Sequence, residues 1–248
     1  MTRIVIKLRS ALLAGFTAAS SSGGAAAQTP VRFDARLVPS GAVLAVTAAV
    51  AVAPVLFAAH LPHATCAPCD PSGLPFLDRG TVGAIRAFPA TASDVALFAT
   101  GGAAGLLLAA ESRADLGVAG EDLTVLAQAV GTASALTNWS KVVFHRPRPY
   151  RYVSGAAGSG GAAESGLSFP SGHTSAAFAA AFAYWSIQAR RGTAAAKAPK
   201  IVTLVALATA TGVLRVVARK HFPTDVLAGA ALGAAVGWTV PRLYPARR

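Results

Sequence analysis

"GAVLAVTAAVAVAPVLFAA", residues 41–59, runs through 19 positions without one acidic, basic or amide side chain. A helix needs about 20 apolar residues to cross the hydrocarbon core of a bilayer, so this run is long enough to span. The uncharged window around it extends from Arg36 to Asp70. Five more windows free of Asp, Glu, Lys and Arg follow, between Asp94 and Glu111, Asp122 and Lys141, Glu164 and Arg190, Lys200 and Arg215, and Asp225 and Arg242. Several are short and rich in Ala and Gly, which suits close helix–helix contact in lipid. The pattern predicts an all-α fold, a six-helix transmembrane bundle; its competitor is a soluble, alanine-rich bundle.

Composition points the same way. Of 248 residues 54% are hydrophobic and 13% charged, against about a quarter charged in a soluble domain. The net charge of +12 does not imply nucleic acid, because the cations sit in short clusters between apolar runs and form no basic face. Phosphate groups and a membrane surface explain them better.

Loop charges orient the bundle. "ARRGTAAAKAPK" (189–200) and the tail "PRLYPARR" are basic without an acid, and positive loops stay in the cytoplasm. Six spans then put both termini inside, and residues 60–93, 145–173 and 216–225 outside. The acidic loop 111–122 runs mildly against this. So does the N-terminus, which has a basic start, a short apolar stretch and an A-x-A site at 25–27, like a cleavable signal. We take residues 1–36 as a leader, signal-like or cytoplasmic, and 37–248 as the membrane domain.

Cys66 and Cys69, in "CAPC", are the only cysteines. Two thiols cannot supply a four-ligand zinc site. On the outer face they read as a local disulfide; the alternative is two unpaired thiols in a loop.

Three stretches carry the unusual chemistry: "KVVFHRPRP" (141–149), "FPSGHTSAA" (169–177) and "RVVARKHFPTD" (215–225). All fall on one face of the expected topology. Arginine offers phosphate a rigid fork and lysine a compact charge. Ser171, Gly172 and His173 precede an apolar run, where a helix N-terminus favours an anion. Asp225 follows His221 by four residues, and a carboxylate near a histidine fixes its tautomer. Taken singly, each residue has a bland explanation as an interfacial anchor, a cap or a turn.

Together, K-x6-R-P, P-S-G-H and R-x5-H-x3-D resemble the type-2 phosphatidic acid phosphatase and vanadium haloperoxidase superfamily, over residues 141–225. The resemblance implies His221 as nucleophile, forming a phosphohistidine, with Asp225 orienting its ring. His173 would act as leaving-group acid and then as base toward water. Lys141, Arg148, Ser171, Gly172 and Arg215 would hold the phosphate. It implies neither metal nor cofactor, and a lipid phosphate substrate taken from the membrane. One departure is Leu214, where the family usually has Ser before the third-motif arginine. The lipid phosphatase branch, with its site on the extracytoplasmic (periplasmic) face of the cell membrane, fits the six windows. A vanadate-dependent haloperoxidase and a non-catalytic lipid-binding membrane protein are the alternatives. The Gly/Ser-rich stretch 154–166 is expected to be a flexible loop.

Overall fold

The computed structural model describes residues 31–35, 37–57, 66, 68–112, 115–155 and 165–247. The signal-like stretch over 1–30 and most of the Gly/Ser-rich loop, 156–164, lie outside the described residues. The chain is mostly helical: α1 (Leu37–Leu56), the short α2 (Phe76–Arg79), α3 (Ala87–Glu111), α4 (Leu116–Phe144), α5 (Gly172–Arg190), α6 (Ala198–Val217) and α7 (Pro223–Leu243). A 3₁₀ turn spans Pro149–Tyr152. Strands β1 (Arg32–Phe33) and β2 (Ala246–Arg247) pair antiparallel, joining the two ends of the described chain.

Each uncharged window holds one long helix. Three of them, α3, α6 and α7, are long and apolar enough to cross a membrane, and α1 contributes a shorter apolar stretch, Gly41–Leu56. These features mark a membrane protein.

Pro54 lies inside α1 and has no N–H to offer the carbonyl four residues earlier. That carbonyl, of Val50, accepts instead from Trp139 Nε1 of α4 at 3.0 Å, and Asn138 Nδ2 reaches the neighbouring Ala51 oxygen at 2.8 Å. The proline thus turns an intrahelical bond into a tie between α1 and α4.

The closest packing is between α5 and α7. Gly229, Gly233 and Gly237 of α7 lie directly over the carbonyl oxygens of Ser171, Ser175 and Ala179, so that a Cβ at any of them would collide with backbone. Glycine permits that approach, and the matching steps along both helices make them parallel. Their N-termini therefore lie together, and Ser171 N donates to Asp225 O at 3.0 Å. Gly172 stands beside Lys141 near the end of α4, and Arg215 near the end of α6 reaches Ser93 of α3. Successive long helices alternate in direction. The starts of α3, α5 and α7 and the ends of α1, α4 and α6 meet at one end of the bundle.

Candidate active site

The turn from α6 to α7 sets the third motif. Arg215 lies in the last turn of α6, and its carbonyl accepts from Lys220 N and His221 N. Arg219 takes a left-handed conformation, φ 61°, which reverses the chain and brings His221 inward. Pro223 opens α7, where its missing N–H costs nothing. Asp225 accepts from Phe222 N at 2.9 Å, closing the first turn.

His221 is 1% exposed. Its Nδ1 lies 2.8 Å from the carbonyl oxygen of Ser168 and 3.6 Å from Asp225 Oδ2. A carbonyl only accepts, so Nδ1 carries the proton and Nε2 keeps its lone pair. Sequence reasoning expects Asp225 to hold the ring. The shorter bond instead goes to a backbone carbonyl, because Asp225 is already engaged by Ser168 Oγ (2.5 Å), Phe222 N and Arg146 Nη1 (2.5 Å). Burial pushes the His221 pKa well below its ordinary 6.5, and the positive charges of Arg148, Arg215 and Lys141, together with His173, push the same way. Both influences favour the neutral ring.

The other motifs surround it. α4 ends at Phe144 with His145 left-handed, φ 43°, and the chain turns so that Arg148, 4% exposed, donates to Lys220 O at 3.4 Å. Gly172 leaves room for the ammonium of Lys141, which would stand 3.3 Å from a Cβ there. Ser171 is buried immediately before α5, its Oγ 2.9 Å from Thr174 Oγ1. His173 Nε2 lies 2.8 Å from Asp94 Oδ1. All eight expected site residues thus share one end of the bundle. Cys66 and Cys69, in the loop before α2, are joined by a disulfide; Cys69 N donates to Arg151 O, and Arg151 Nη2 to Cys66 O.

The family model of the PAP2 superfamily matches residues 122–248, half of the chain. The chain belongs to the PAP2 superfamily. That membership points to phosphatase- or haloperoxidase-type activity. Comparison with curated proteins and with solved structures gives no match.

For a PAP2 superfamily member, three side chains here escape the motif reading. Asp94, on α3 and outside the matched segment, touches both His173 and Arg215 (3.4 Å). Ser168 holds His221 through its carbonyl and Asp225 through its hydroxyl. Asp78, on α2, is fully buried against Arg146 and Thr224. One signal was legible: an acid within an apolar helix is costly unless paired, and Asp94 is one of only 10 acids in the chain. Nothing in the spacing marks Ser168 or Asp78. Among the described residues, no group of three or more His, Cys, Asp or Glu side chains is arranged to hold a metal ion.

Proposed function

We propose that the protein is an integral membrane phosphatase that removes a terminal phosphate from a lipid phosphate or diphosphate through a phosphohistidine at His221. The observation that carries this is the state of His221: buried, neutral, tied at Nδ1, and ringed by Arg148, Arg215 and Lys141. Nε2 attacks phosphorus while the bond to the leaving oxygen breaks. Lys141, Arg148 and Arg215 stabilise the charge on the equatorial oxygens, with Ser171 and the N–H of Gly172 at the start of α5. His173, oriented by Asp94, gives its proton to the leaving oxygen. Water then loses a proton to His173 and attacks the N–P bond, releasing phosphate and His221. Side-chain cations supply the positive charge, so the reaction needs no added metal.

The lipid substrate is supported by the apolar helices and by a small cavity of about 70 Å³ beside Lys141 and Arg148, walled by Pro54, Val55, Val142 and Leu167. Six spans over 37–248, with both termini cytoplasmic and the motifs on the extracytoplasmic face of the cell membrane, fit the alternating helices and the basic loop 189–200. The test is to incubate detergent-solubilised protein with a ³²P-labelled lipid phosphate in EDTA and quench in alkali. Wild type should trap an acid-labile phosphoenzyme that His221→Ala lacks. Label on the Ala variant, or vanadate-dependent halide oxidation without phosphate release, would overturn the proposal.

A further inference from the structure

Asp78 sits on α2, in the loop that follows the Cys66–Cys69 disulfide, ahead of the segment matched by the family. It is 0% exposed, and both its oxygens are used. Oδ2 accepts from Arg146 Nη2 at 2.6 Å and from Thr224 Oγ1 at 2.7 Å, while Oδ1 accepts from Thr224 N at 3.1 Å. The second terminal nitrogen of Arg146 goes to Asp225 Oδ1 at 2.5 Å and to Thr224 Oγ1 at 2.7 Å. The guanidinium also lies over the Phe222 ring, 4.4 Å from its centroid. Two buried carboxylates from distant parts of the chain therefore share one cation. Burial pulls the Arg146 pKa down, but Asp225 and Asp78 more than offset it and leave it raised.

A planar fork gripped at both ends cannot pivot. Its far end holds Asp225, whose other oxygen takes the Ser168 hydroxyl and the Phe222 N–H. Ser168 in turn holds the His221 ring by its carbonyl. The loop is docked on the same face by other bonds, with Arg219 Nη1 donating to Gly80 O at 2.7 Å. Asp78 is the point at which it reaches the nucleophile's support.

We infer that Asp78 is a positioning residue for the nucleophile: through Arg146 it fixes the carboxylate of Asp225, and with it the Ser168 groups that orient His221. This rests on His221 being the nucleophile, as proposed above. Asp78 touches no reacting atom, and Lys141, Arg148 and Arg215 hold the phosphate independently of it. Its loss should slow bond formation to phosphorus and leave substrate affinity nearly alone.

The experiment compares Asp78→Asn, Arg146→Lys, the double variant and Asp70→Asn in detergent. Phosphoenzyme formation from an activated aryl phosphate is followed in a single turnover, with KM, burst amplitude and Tm. Asp70 is on the same loop but exposed, bonding Ser72, and its variant should match wild type. Asp78→Asn keeps an acceptor for Thr224 N but loses the ion pair, and should slow formation about 10- to 100-fold with KM within about threefold. Arg146→Lys keeps the charge but loses the rigid planar fork that spans the two carboxylates and should lose a similar factor; it decides the matter should Asp78→Asn fail to fold. The double variant should be little worse than either single one, as for residues acting as a unit. Wild-type rates in Asp78→Asn, additive losses, or a loss confined to burst amplitude and Tm would overturn the inference alone. Absence of any phosphoenzyme in wild type would overturn the proposed function, and the inference with it.

Discussion

The two ends of the bundle use the same residue types to opposite effect. At the end away from the motifs, cations meet carboxylates. Arg191 Nη2 lies 2.6 Å from Asp122 Oδ1, and Glu111 Oε1 takes Lys197 at 3.0 Å and Lys200 at 2.6 Å. Tyr184 and Gln188 add hydrogen bonds to the same carboxylate, and Arg247 pairs with Asp34 across the terminal strands. At the motif end the side chains that set the field at His221 are cations, Arg148, Arg215 and Lys141, with His173 beside them. The acids there, Asp78, Asp94 and Asp225, serve Arg146, Arg215 and the histidines. One end closes its charges on itself. The other gathers Arg148, Arg215 and Lys141 around His221.

The sharpest way to break this comparison is to remove one arginine from each end. Arg148→Gln should lower kcat/KM by about 10²- to 10⁴-fold, the scale of lost electrostatic stabilisation of a transition state, and shift Tm less than its counterpart does. Arg191→Gln should do the reverse. It strands the fully buried Asp122 and should cost about 3–5 kcal/mol of stability, with kcat per folded molecule within about threefold of wild type. Activity assays and thermal scans on both variants check it. If Arg148→Gln mainly lowers Tm, or Arg191→Gln mainly lowers kcat, the division between the ends is wrong.

Within the motif end, His173 and His221 should separate by leaving group. A lipid alkoxide needs a proton, and an aryl oxide hardly does. His173→Ala should therefore lose about 10²- to 10⁴-fold on a lipid monophosphate and far less on a nitrophenyl phosphate, with phosphoenzyme still trapped from the latter. Equal losses on both substrates would remove His173 from the role of acid.

How far these sites were legible in the sequence differs between the ends too. Lys141, Arg148, His173, Arg215 and His221 stood out as a group because their joint spacing resembles the motifs of one superfamily, and the structure brings them to one end of the bundle. The long helices were readable because charge is scarce inside them. That same rule blurred their limits. Asp94 and Asp122 marked the edges of uncharged windows, yet α3 starts at Ala87 and α4 at Leu116. Asp122 lies inside α4, where Arg191 compensates it, and Asp94 lies inside α3, where it meets His173. A charge ends a window in sequence but not a helix whose partner arrives from elsewhere. Asp78 was illegible for a related reason. Its helix is four residues long and its partners are about 70 to 150 positions away, so no local period exposes it. Ser168 acts partly through a backbone carbonyl, which no side-chain pattern can show.

The smallest expected effect sharpens the comparison through pH. His221 is buried neutral, with its pKa well below the ordinary 6.5 it regains on unfolding. Between those two values the unfolded chain binds a proton that the folded chain does not. Stability therefore rises with pH through that window and, for this group, levels off above about 6.5. Its slope is at most about 1.4 kcal/mol per pH unit. Thermal scans of the purified protein from pH 5 to 7.5 should show Tm falling toward acid. His221→Asn, which keeps a donor for the Ser168 carbonyl but does not titrate, should flatten that fall. The difference between the wild-type and His221→Asn slopes reports the loss of the His221 ring and of the charge it shares with its neighbours. A slope unchanged in His221→Asn would mean that the ring is not held neutral by its burial and its cations, and the electrostatic contrast between the two ends would lose its clearest physical consequence.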